Sequence, residues 1–76
     1  VIEQAKGMLM IVYGISAEAA FDLLRWRSQD ANVKLRRLAE QVADDFVSLA
    51  QHDPSASRAA YDNLLLTADR RIEDPA

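Results

Sequence analysis

Seventy-six residues suffice for one domain, and a chain this short buries only about 60% of the surface it exposes when unfolded. Half of the residues are hydrophobic and 28% are charged, too apolar a mixture for intrinsic disorder and too interrupted by charge for a membrane span. Cysteine is absent, which excludes a disulfide framework and a thiolate metal site, and the formal net charge of −3 withholds the basic field common to nucleic-acid binders.

That net charge hides an asymmetry. Residues 1–43 carry six Lys/Arg against five Asp/Glu, and residues 44–76 carry three against seven. The front half is +1 and the rest −4, so any anion-binding role must come from local placement. The opening Val1-Ile2-Glu3-Gln4-Ala5-Lys6 has neither a basic nor an apolar leader region, so a cytoplasmic location is the expectation. It also begins inside an amphipathic pattern without a cap, which reads as a helix cut from something larger.

In chain order, Ile2, Ala5, Leu9 and Val12 recur at helical spacing, and Gly14 follows as a residue able to take the left-handed conformation that ends a helix. The first helix therefore runs to about Tyr13. Ser16 is placed as an N-cap, and Glu18 in the first turn suits the positive end of the helix dipole, so a second helix starts near Ala17. Its apolar stripe is Ala17, Ala20, Phe21 and Leu24, and the polar run Ser28 to Asn32 breaks it, with Asn32 offering the cap of a third helix. Leu35, Leu38, Ala39, Val42, Phe46 and Leu49 hold the three-four spacing of that third helix, the longest, to about Gln51. His52-Asp53-Pro54-Ser55 reads as a turn with its own restart, Asp53 capping and Pro54 at a first helical position. Tyr61, Leu64, Leu65, Ala68 and Ile72 define a fourth helix, after which Glu73 to Ala76 fray.

The fold class is all-α: a small bundle of three helices, residues 1–51, with a fourth helix and acidic tail in a C-terminal extension, residues 52–76. Short connections lead us to expect roughly antiparallel neighbours.

Chemistry for catalysis is missing. One histidine, no cysteine and serines at caps or helix edges leave no groups of tuned pKa in mutual reach. His52 beside Asp53 lacks a third ligand and reads as a solvated turn residue, and the acids Asp44-Asp45 and Asp69, Glu73 and Asp74 read as solvated surface. The expectation is a non-enzymatic domain without cofactor, metal or small-molecule substrate.

A different pattern carries information. Ala5-Lys6-Gly7-Met8-Leu9-Met10 places glycine inside a helix, at about 1 kcal/mol relative to alanine, so a close approach of backbone or ligand should repay it. Tyr13-Gly14-Ile15-Ser16-Ala17 follows, then Ala20-Phe21 with Leu23-Leu24-Arg25, then Ser28, Asn32, Lys34-Leu35 and Ala39. In this order and spacing, about residues 2–43 resemble the ANTAR family, the RNA-binding domain of bacterial transcription antitermination regulators. The chain departs from the family pattern at Ile11-Val12, where members often carry a basic residue, and at Arg37-Leu38, where an acid-aliphatic pair is common.

The resemblance implies a three-helix domain, downstream of a sensory or receiver domain and a dimerising coiled coil, that binds paired small stem-loops in nascent RNA so that a terminator does not form. A homodimer formed through such upstream sequence is the expected state. Lys6, Arg25 and Lys34 match the family motif and are the first expected RNA contacts. Arg27, Arg36, Arg37 and Asn32 complete the expected set, Asn32 serving first as a cap; RNA loops are read by such cations and polar groups and by flat rings that stack. Ser28 should bond backbone near the end of the second helix. Ala5, Gly7 and Ala20 should be small because helices cross there. Met8 and Met10 cannot share the Leu9 face, so one is expected at the surface. Trp26, off the apolar stripe, needs the fourth helix, a dimer partner or a base to cover it, and protein cover is the expectation.

Two other readings compete. The acidic tail and Trp26 would serve a helical protein-interaction or dimerisation module, and a helix-turn-helix would read duplex DNA with the same short helices.

Overall fold

The computed structural model describes residues 1–72; the expected fraying of Glu73 to Ala76, and the acids Glu73 and Asp74, lie outside the described residues. The all-α class holds. α1 spans Ile2–Tyr13, α2 Ala17–Ala31, α3 Leu35–His52 and α4 Arg58–Thr67, and a single 3₁₀ turn, Ala68–Arg71, follows α4 directly.

The first boundaries fall where the local chemistry puts them. Gly14 ends α1 at φ +62°, a left-handed conformation that glycine adopts without a Cβ penalty. Ser16 opens α2 by accepting a hydrogen bond from the Ala19 N–H at 3.1 Å. The polar run from Ser28 to Ala31 stays helical, contrary to expectation, and Asn32 closes α2 instead of opening α3. Its φ is +56°, its N–H donates to the Gln29 carbonyl, and the Val33 N–H donates back to that of Ser28. Asparagine serves both kinds of helix end because its short side chain tolerates the left-handed region, and here the C-terminal role prevails. Lys34 is the N-cap of α3 and contributes no side-chain cap. The Ser28 hydroxyl donates to the Val33 carbonyl, as expected, and ties the α2 end to the loop.

The restart at Asp53-Pro54 does not occur. Asp53 closes α3, and α4 begins at Arg58 with Ser57 as its N-cap. Five residues of turn thus separate the two helices.

α1 and α2 meet at a bend of 110°, so these neighbours cross where an antiparallel pair was expected. α1 and α3 instead run side by side in the same sense: Arg36 at the start of α3 lines a cleft with Val1, Ile2 and Glu3, and Val47 and Ala50 further along line another with Met8 and Ile11. The core forms between them from Ala5 and Leu9, Ala20 and Leu24, and Leu38, Ala39, Val42 and Phe46. Each fully buried leucine here contributes about 1.5–3 kcal/mol. Met8 and Met10 are both half-buried against this core.

α4 belongs to the same core through Leu65, joined by Ala68 of the 3₁₀ turn, and Tyr61 packs edge-to-face on Phe46 with ring centroids 4.9 Å apart. Two arginines fasten it. Arg27, with only 5% of its side chain exposed, donates to the carbonyls of Leu65 (3.2 Å) and Leu66 (3.0 Å) and pairs with Asp30 and Asp69. Arg71 donates to the Leu64 carbonyl at 2.6 Å and pairs with Asp45 on α3 at 2.7 Å. A helix leaves its last carbonyls without intrahelical partners, and these two guanidinium groups occupy three consecutive ones while meeting the negative end of the α4 dipole.

Candidate nucleic-acid interface

Three of the expected RNA contacts sit at one end of the molecule. Lys6 lies on the flank of α1, 21% exposed, with its ammonium held by Glu3 at 2.9 Å. Glu3 also lines the cleft that Arg36 borders, so the Lys6–Glu3 pair and the Arg36 guanidinium share the corner where the starts of α1 and α3 come together. Arg36 is largely exposed and reaches Glu40, one turn along α3, at a loose 3.6 Å. Lys34 stands exposed two residues before Arg36, at the same end of α3.

The remaining residues spread outward from this corner. Asn32 is exposed in the α2–α3 connection, its backbone committed to the left-handed cap. Arg37 is exposed, but it is rotated by about 100° around α3 from Arg36 and faces another direction. Arg25 is exposed on the outer side of α2.

Arg27 is the exception. Its Nε, Nη1 and Nη2 groups are spent on Leu65, Leu66, Asp30 and Asp69, and its side chain is buried, so it presents no cation to a ligand. Burying an arginine is tolerable only with such full pairing. From sequence alone a basic residue near Arg25 reads as surface, because the carbonyls that hold it lie 38 and 39 positions away.

α4 does not cover Trp26. The residue is 52% exposed on this chain, and the Arg27 guanidinium carbon lies 5.8 Å from its ring centroid. Among the described phenylalanines, tyrosines and tryptophan it alone is exposed. Gly7 also differs from expectation, since a Cβ built there meets nothing within 4 Å and no helix crosses closely at that point.

Lys34 and Arg36 present exposed cationic donors at this corner, and the Lys6 ammonium beside them is engaged by Glu3. Among the described residues no cluster of histidine and acid side chains could hold a metal ion, and no single helix is long and apolar enough to cross a membrane.

A family model described as the ANTAR domain matches residues 1–42, which takes in α1, α2 and the first two turns of α3. No curated protein and no solved structure matches the chain.

Proposed function

This chain belongs to the ANTAR family of RNA-binding antitermination regulators, a family of regulatory domains and not of enzymes, and from that membership we propose that it binds paired small stem-loops in nascent RNA and so keeps a terminator from forming. The observation that carries the reading is the coincidence of the family match with the cations. Lys6, Arg25, Lys34, Arg36 and Arg37 all fall within residues 1–42, and three of them share the corner between α1 and α3.

In this reading Lys6, Lys34 and Arg36 take phosphate oxygens, and Arg25 and Arg37 extend the contact around the domain. Asn32 offers its amide to unstacked base edges, and Trp26 offers a flat face to a splayed base. Nothing in this scheme calls for a cofactor. Two hairpins call for two copies of the domain, joined through upstream sequence, and a nascent transcript places the work in the cytoplasm.

The test is the salt dependence of binding to a paired stem-loop RNA against a duplex DNA of matched length. The expected result is a preference for the hairpins that weakens steeply with salt, with a slope that becomes shallower by about one unit for each of Lys6, Lys34 and Arg36 replaced by alanine. Equal affinity for RNA and DNA, or hairpin binding indifferent to all three substitutions, would overturn it.

A further inference from the structure

One face of α1 is unused by everything described so far. Gln4, Gly7 and Ile11 follow one another at three and four residues and form a single row along the helix, with Met8 beside them and Glu3, one turn before Gly7, at its edge. Ile11 is 84% exposed, an extreme value for an isoleucine at the end of a buried helix. Next to it opens a hollow of about 200 Å³, bounded by Met8, Phe46, Val47, Ala50 and Tyr61 from three helices, with Ile11 at its lip.

Gly7 sharpens the point. Glycine weakens the interior of an isolated helix, and nothing in this chain comes near enough to explain it, because a Cβ there meets only open space. What the missing side chain makes room for must come from outside the chain. RNA is a poor occupant, since the row offers no cation to a phosphate and the charge at its edge, Glu3, is an acid that already holds the Lys6 ammonium.

A second copy of the chain fits better. Projection and hollow lie side by side on the same face, which is the requirement for a two-fold contact in which each copy gives and receives the same group. The charges at the rim agree. Asp44 precedes Val47 by one turn of α3, and Arg58 precedes Tyr61 by one turn of α4; both are exposed, so an acid and a base each lie one turn from a residue that lines the hollow. A two-fold contact over the hollow can set the acid of each copy against the base of the other.

We propose that two copies of this chain associate through this face, with Ile11 of each seated in the hollow of the other and the α1 helices crossing at Gly7. The contact is separate from RNA binding and from any pairing through upstream sequence. It is tested without RNA, on the 76-residue chain, by sedimentation equilibrium from micromolar to millimolar concentration. The expected result is a mass rising with concentration from 8.5 kDa toward twice that value. Ile11→Asp and Gly7→Leu should each weaken association at least tenfold while leaving the helical circular dichroism and the thermal midpoint of the monomer in place, because both sites face open space. Asp44→Arg should weaken it too, and adding Arg58→Asp should restore it. A chain that stays monomeric up to millimolar concentration overturns the proposal, as does association indifferent to Ile11→Asp and Gly7→Leu. Hairpin affinity lost in those two variants without any self-association would assign the face to RNA and overturn it equally.

Discussion

Arg27 on α2 donates through Nε to the carbonyl of Leu65 on α4 at 3.2 Å, a bond that joins the segment matched by the family to the helix outside it. The same guanidinium reaches Leu66, Asp30 and Asp69. Removing it strands two helix-end carbonyls and two carboxylates, so Arg27→Ala should cost about 3–4 kcal/mol, the range for breaking a buried charged network. Arg27→Lys should recover less than half of that, because a single ammonium cannot reproduce the planar fork. Urea denaturation of the three proteins checks both statements, and an Arg27→Ala domain as stable as the parent would show that the clasp contributes nothing.

Truncation follows from the same contact. A chain ending at residue 57 exposes Phe46, loses Leu65 and Ala68 from the core, and leaves Arg27 without its carbonyl partners. It should unfold without a cooperative transition in a thermal melt. If the acidic C-terminal region instead only shielded the basic corner, the truncated chain would melt normally and bind hairpin RNA more tightly.

Much of this arrangement was legible in the sequence, for physical reasons that differ by element. The stripe from Leu35 to Phe46 and the caps at Gly14 and Ser16 act over a few residues, so they can be read locally. Asn32 marked the right place and the wrong role, since both ends of a helix favour it. Ser57, the real cap of α4, was overshadowed by Asp53-Pro54, whose chemistry suits either a restart or a turn. Lys6 and Arg36 could be named as cations, but their meeting depends on α1 and α3 running in the same sense, which no local pattern encodes. Arg27 was named as a surface cation because the carbonyls that bury it belong to α4, 38 and more positions away.

Lys6 reaches an RNA phosphate only by leaving Glu3, whose carboxylate already occupies its ammonium at 2.9 Å. Glu3→Gln removes the competing charge and the repulsion it exerts beside Arg36. We expect hairpin affinity to rise several-fold at low salt and the gain to shrink as salt is raised, because the competing pair is itself screened. A binding isotherm at two salt concentrations settles it; unchanged affinity would place Lys6 outside the interface.

Tyr13 at the end of α1 carries a buried hydroxyl with no partner at hydrogen-bonding distance. Burial first, and then the Asp62 carboxylate nearby on α4, holds its phenol protonated well above the ordinary tyrosine range. The sign is then fixed: the native state keeps a proton that the unfolded chain releases near pH 10, so this residue's share of stability is intact below that pH and declines above it. Tyr13→Phe removes both the unpaired hydroxyl and the titration. Its stability should match or slightly exceed the parent at pH 7, by up to about 1 kcal/mol, and the gap should widen above pH 10 in denaturation curves taken across that range.

Asn32 combines a structural duty with a proposed contact, and two substitutions separate them. The backbone at φ +56° admits glycine without strain and alanine only at a cost of about 1 kcal/mol. Asn32→Gly should therefore keep the thermal midpoint within a few degrees, whereas Asn32→Ala lowers it by roughly 4–8 °C, the shift that 1 kcal/mol produces in a domain of this size. If the amide reads a base edge, both variants lose hairpin affinity to a similar extent despite their different stabilities. If Asn32 serves only to end α2, the glycine variant binds like the parent, and base recognition in this connection must be sought elsewhere.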